Sequence, residues 1–110
     1  MPGYQERKTE EEEMPQKTTW SQDRHRRANA YVGRQLRLQR RKMRLSMKEL
    51  ARELGVTYRQ VQKYEVGKNA LRPTMLWQAA ALLEVPIEYF FEGIEEAIAS
   101  KATRPRTPSA

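Results

Sequence analysis

The sequence predicts a small all-α domain with a polar tail on each side, and three observations lead to this fold class. Apolar residues between about 25 and 98 recur at helical spacing, with no alternation that would indicate a strand. Capping residues, glycines and prolines divide this stretch into five short segments. Outside it, the chain is too polar to bury much apolar surface. We therefore expect a disordered acidic tail over residues 1–24, a compact five-helix domain over 25–98 and a disordered tail over 99–110.

The first predicted helix begins near Asn29, a residue type that caps helix N-termini well, and ends around Met43–Leu45. The run Arg24–Arg27 precedes it and has two interpretations of equal weight. It is either a flexible basic arm that enters a groove or follows phosphates, or the first part of a longer helix that begins near Ser21.

The second and third helices are predicted from their ends. Ser46, with Glu49 three residues later, forms the pattern of a capping box and starts the second helix. Gly55 is suited to end that helix in a left-handed conformation. A third helix is expected over about Thr57–Val66, with its threonine as the N-cap.

Two prolines mark the start of the last two predicted helices. Pro73 opens a fourth helix, and Pro86 opens a short fifth one. The fifth carries three consecutive aromatic residues, Tyr89, Phe90 and Phe91, which together span most of a helix circumference. Because at least one of the three rings should be poorly covered in a monomer, we expect them to form a homodimer interface.

Charge is distributed unevenly along the chain, whose formal net charge is +7. Residues 24–92 hold fifteen Lys or Arg against six Glu, whereas residues 1–23 have a net charge of −3. Residues 24–44 alone hold nine cations and no acid. A basic domain of this kind is typical of proteins that meet a polyanion.

Several classes of function are excluded by composition. The chain has no cysteine and a single histidine, so it lacks the usual ligands of a metal site. It shows no nucleophile–base pair and no phosphate-binding glycine loop, so we expect neither an enzyme nor a cofactor. No apolar run approaches the roughly 20 residues that cross a bilayer, so no membrane partner is expected.

The most informative stretch is MKELARELGVTYRQVQKYEV, residues 47–66. Two helices can cross steeply when a small residue lies at their contact and the turn accepts positive φ. Ala51, Gly55 and Val61 supply the small contact, the turn residue and the apolar anchor of the second helix. This spacing predicts a helix-turn-helix unit.

The segments VGRQLRLQRRKMRLSMKELARELGVTYRQVQKYEVGKN and ALLEVPIEYFFEG resemble the phage repressor/Cro-type helix-turn-helix family, in particular its small bacterial transcriptional regulators. The resemblance covers about residues 29–93. It implies a cytoplasmic, nucleoid-associated bacterial protein that binds double-stranded DNA as a homodimer. The third helix would then be the recognition helix in the major groove.

Candidate DNA-contacting residues follow from this helix and its surroundings. On a helical wheel Arg59, Gln62 and Lys63 lie opposite the inward-facing positions and can hydrogen-bond to base edges. Tyr58 joins them as a base reader, because the family often places a contacting side chain there. Cations and polar groups near the helix are candidates for phosphate contacts: Arg41, Lys42, Arg44, Lys48, Lys68, Asn69 and Arg72.

Arg40 and Glu65 match two positions that pair in the resembling family, so we expect a structural ion pair. The sequence departs from the family pattern at three positions. Met47 replaces a common phosphate-contacting Gln, and Arg44 and Glu84 stand where glycine often makes a turn.

Two other functions stay open at this point. The first is the antitoxin of a toxin–antitoxin pair, which would regulate its own synthesis through the same domain and hold a protein partner with one of its tails. The second is an adaptor that uses the fold for protein interaction without reading DNA.

Overall fold

The computed structural model describes residues 20–103, and this part of the chain is entirely helical, without a strand. The predicted all-α class is therefore confirmed. The predicted tails before residue 20 and after 103 lie outside the described residues. The helices are α1 (Gln22–Lys42), α2 (Met47–Leu54), α3 (Tyr58–Val66), α4 (Pro73–Leu82), a 3₁₀ helix (Ile87–Phe91) and α5 (Ile94–Thr103).

The first helix begins earlier than the sequence suggested. Ser21 is the N-cap of α1, and its hydroxyl oxygen accepts a hydrogen bond from the backbone N–H of Arg24 at 3.1 Å. Asp23, in the positively polarised first turn, pairs with Arg27 at 2.6 Å. The expected start near Asn29 is thus wrong, and so is the flexible arm at Arg24–Arg27. The alternative start near Ser21 is confirmed.

The next two helices begin as predicted. Ser46 and Glu49 form a complete capping box, with reciprocal hydrogen bonds of 3.0 and 2.8 Å. The hydrogen bond from the Ser46 backbone N–H, followed by that from its hydroxyl, lowers the pKa of the Glu49 carboxyl, and nearby Arg52 adds to this effect. Thr57 caps α3 by accepting a hydrogen bond from the Gln60 N–H at 3.0 Å.

Each of the helices α1, α2, α3 and α4 is followed by a residue in the left-handed conformation, although only two of these four residues are glycines. Gly55 (φ 75°) ends α2 and Gly67 (φ 84°) ends α3. Arg44 (φ 62°) and Glu84 (φ 60°) take the same conformation after α1 and α4. After each of these two, the next amide donates to a carbonyl five residues earlier at 3.1 Å. The tight turns are therefore kept without glycine, at some cost in backbone strain.

One apolar core is shared by α1, α2, α3, α4 and the 3₁₀ helix. Its centre consists of large side chains with no exposed surface: Leu36, Leu50, Val61, Leu83 and Phe90. The segment predicted as a fifth helix is the 3₁₀ helix, which turns Phe90 inward.

The last helix, α5, was not predicted, and it packs against α1. Ile98 is buried, and the Tyr31 hydroxyl of α1 donates to the Glu92 carbonyl just before α5. With α1 starting at Gln22 and α5 running to Thr103, the helical region extends past the expected domain limits of 25 and 98 at both ends. No helix among residues 20–103 combines the length and apolar character that a membrane span requires.

Candidate nucleic-acid interface

The α2–turn–α3 unit has the geometry that its sequence predicted. Ala51 is almost fully buried where the two helices meet, and Gly55 makes the left-handed turn. Val61 is completely buried and anchors α3 to the core. The inner face of α3 therefore packs on the core, and its outer face is exposed to solvent.

Two glycines bring α1 unusually close to the end of α3. A Cβ on Gly33 would lie 2.8 Å from the Glu65 carbonyl oxygen, and one on Gly67 would lie 2.7 Å from the Ala30 amide nitrogen. Only residues without a side chain allow this approach. The contact fixes the position of α1 beside the exposed face of α3.

The ion pair expected between Arg40 and Glu65 is present and buried. Arg40 Nε donates to Glu65 Oε2 at 2.6 Å, and Nη2 donates to Oε1 at 3.1 Å. The remaining Nη1 donates to the Leu45 carbonyl at 2.7 Å. The guanidinium thus joins α1, the turn before α2 and the end of α3, which agrees with a structural role.

A groove of about 540 Å³ runs along the exposed face of α3. It brings together Arg59, Gln62 and Lys63 of α3 with Lys68 of the following loop. Within residues 20–103 these four side chains have no hydrogen-bond or ion-pair partner, so their donors are available to a ligand. Tyr58 lies outside the groove, at the start of α3, with 42% of its surface exposed.

The groove also contains residues that the sequence did not predict to contact DNA. Arg37 of α1, the partly buried Met47 and the 69%-exposed Val66 line its walls. The departure from the family pattern at Met47 thus places an apolar side chain in this surface, where Gln would offer a hydrogen bond. Arg37 is exposed on α1, as the helical spacing of that segment indicates. It lies beside α3 because α1 and α3 pack closely at Gly33, which the spacing does not show.

The other predicted phosphate contacts do not line this groove. Arg41, Lys42 and Arg44 are exposed at the end of α1, and Lys48 is exposed in the first turn of α2. Asn69 and Arg72 are exposed in the loop between α3 and α4. In the described part of the chain none of the six side chains has an intramolecular polar partner.

The three consecutive aromatic residues have three different environments. Phe90 is fully buried within the single chain, which removes it from the surface available to a dimer interface. The partly buried Tyr89 donates from its hydroxyl to the Gln35 carbonyl at 3.1 Å, and burial, then nearby Glu92, raises its pKa. Phe91 remains 43% exposed.

No group of His, Cys, Asp or Glu side chains among the described residues is arranged to hold a metal ion. The basic groove beside α3, built on a helix-turn-helix, is an organised polar surface within residues 20–103.

Comparison with known proteins agrees with this architecture. The family model described as helix-turn-helix matches residues 36–90, which is half of the chain. The chain therefore belongs to the helix-turn-helix family, as the resemblance to Cro-type proteins indicated.

Curated relatives define the class further. The chain is 42% identical over 67 residues to a Rhodospirillum rubrum protein named as an uncharacterized transcriptional regulator in the ATPase CF(0) region, covering 61% of this chain and 62% of that protein. An HTH-type transcriptional regulator of Sinorhizobium fredii is 44% identical over 66 residues, 60% of this chain and 46% of the relative. An HTH-type transcriptional regulator of Sinorhizobium medicae is 39% identical over 62 residues, which is 56% of this chain and 45% of the relative.

The matched region spans about half to three-fifths of these relatives' own length. They are named as transcriptional regulators.

Proposed function

We propose that the protein is a sequence-specific regulator of transcription that inserts α3 into the major groove of double-stranded DNA, acting at the nucleoid in the bacterial cytoplasm. The observation that carries this proposal is the groove beside α3. Hydrogen-bonding side chains of one helix face meet cations of α1 and of the next loop there, and none of them has a partner within residues 20–103.

Base reading is assigned to the exposed face of α3. An α-helix fits the roughly 12 Å wide major groove, where Arg or Lys pairs with guanine O6 and N7 and Gln pairs with adenine N6 and N7. Arg59, Gln62 and Lys63 provide these groups on a helix whose opposite face is buried. Tyr58 extends the same surface toward the helix N-terminus.

Phosphate contacts are assigned to the exposed cations around the groove. They come from the end of α1, the start of α2 and the loop after α3, so they can meet the backbone on both sides of an inserted α3. The free N–H groups of the α2 N-terminus lie next to Lys48 and also favour an anion. Such contacts supply affinity that depends on salt and not on sequence.

We also infer a homodimer. Phe91 is 43% exposed and Trp77 of α4 is 68% exposed, and both are large apolar side chains whose burial a second copy would favour. Two-fold symmetry would present two copies of α3 about 34 Å apart to a pseudo-palindromic site. Sedimentation equilibrium should show a dimer that Phe91→Ser weakens, and a chain that stays monomeric at every soluble concentration would contradict this inference.

Selection of bound duplexes from a random library tests the main proposal. At about 100 mM salt, where non-specific binding is weakened, the full chain should enrich one short motif with two related halves. Retention of DNA without any enriched motif would show that the protein binds the DNA backbone alone, contrary to the proposal.

A further inference from the structure

The basic groove beside α3 lacks a free counter-charge of its own. Its cations are Arg37, Arg59, Lys63 and Lys68. Its single carboxylate, that of Glu65, is held by two hydrogen bonds from the buried Arg40 and is therefore already neutralised. Within residues 20–103 the four cations have no acidic partner. The groove thus attracts any flexible anion that is held nearby.

The same chain carries a run of acidic residues close to the described part. Glu10–Glu13 is an unbroken run of four carboxylates, and it lies outside the described residues. It ends seven positions before Trp20, where the described chain begins. No other stretch of the sequence has four acidic residues in succession.

The short connection allows the acidic run to reach the groove. Gly67, next to Lys68, lies against Ala30 of α1, which is eight residues and therefore about 12 Å from the start of that helix at Gln22. An extended chain from Glu13 to Trp20 spans up to about 24 Å. The end of the groove at Lys68 is thus within reach.

From the charge complementarity and the reach, we propose that Glu10–Glu13 docks in the groove beside α3 and competes with DNA for it. The inference rests on the proposed function, because it treats the groove as the DNA-binding surface. A segment tethered this closely has an effective concentration in the millimolar range, so even weak ion pairs populate the docked state. Because such ion pairs are exposed and are screened by salt, the acidic run should compete with DNA mainly at low ionic strength.

The test compares two full-length variants with the same change in net charge. One replaces the acidic run, as E10Q/E11Q/E12Q/E13Q. The matched control replaces four exposed acids of the C-terminal half of the domain, as E84Q/E88Q/E95Q/E96Q. Fluorescence anisotropy with a labelled duplex of mixed sequence measures binding at low and at high NaCl concentration.

The acidic-run variant should bind about 3–10 times more tightly than the control at 50 mM NaCl, and the two should agree within about 2-fold at 300 mM, where screening removes the docking. Equal affinities of the acidic-run variant and the control at both salt concentrations would overturn the proposal, since any gain in affinity over the unmodified chain would then reflect net charge alone.

A second measurement needs no DNA. Amide chemical shifts of Arg59, Lys63 and Lys68 at low salt should differ between the unmodified chain and the acidic-run variant, and should match between the unmodified chain and the control. Unchanged shifts in the acidic-run variant would overturn the docking. Shift changes in a chain that binds no duplex would instead support docking and contradict the proposed DNA-binding function.

Discussion

Replacement of Arg40 by methionine tests whether the buried ion pair holds the helix-turn-helix in place. The Arg40 and Glu65 residues are each 8% exposed, and the guanidinium forms three hydrogen bonds, two to the carboxylate and one to the Leu45 carbonyl. The variant would leave a buried carboxylate unpaired and a carbonyl without its donor. Removing one partner of a buried pair costs about 3–5 kcal/mol.

That loss is a large part of the roughly 5–15 kcal/mol that stabilises a small domain. Urea denaturation followed by circular dichroism at 222 nm would measure it. Arg41→Met is the matched control, because Arg41 is exposed on the same helix and its replacement should change the unfolding free energy by less than about 0.5 kcal/mol. A similar small change for Arg40→Met would refute the structural role of the pair.

Three further variants test other parts of the fold by urea denaturation. Gly33→Ala should destabilise the domain by at least about 1–3 kcal/mol, because its Cβ would overlap the end of α3; a gain, as expected for an unconstrained helical glycine, would contradict the close contact. Glu84→Gly should stabilise by up to about 1 kcal/mol by relieving a φ of 60°, and a clear loss would contradict the strain. Glu49 has a lowered pKa in the folded state, so its contribution is present above the ordinary carboxyl pKa and lost as the pH falls through the lowered value. The free energy of unfolding of Glu49→Gln should therefore be lower than that of the unmodified chain at neutral pH, and the two values should become equal in acid. A difference in unfolding free energy that does not change with pH would argue against this linkage.

Local chemistry made much of the fold predictable from the sequence. The caps at Ser46 and Thr57 and the turn at Gly55 each depend on a few neighbouring residues, and the structure shows them where the sequence placed them. The start of α1 was less certain, because Asn29 and Ser21 are both good caps. The cap at Ser21 and the pair between Asp23 and Arg27 both support the earlier start.

The features that the sequence did not reveal depend on tertiary contacts. Helix α5 has only two large apolar residues, Ile94 and Ile98. Its one described buried side chain, Ile98, packs against α1. Arg37 joins the groove because Gly33 lets α1 lie close to α3. A glycine inside a helical pattern can signal such an approach, but not which element approaches. Likewise, the pattern of three aromatic residues did not show that Phe90 would turn into the core.

One binding measurement tests directly whether α3 reads base sequence while the residues around it hold phosphates. Arg59→Ala and Lys68→Ala would each be titrated against the duplex enriched by selection and against an unrelated duplex, at several salt concentrations. Arg59→Ala should lose about 1–3 kcal/mol on the selected duplex and little on the other, so that its specificity falls. Lys68→Ala should weaken both alike and reduce the salt slope by about one. Equal losses on both duplexes for Arg59→Ala would contradict the assignment of α3 as the reading helix.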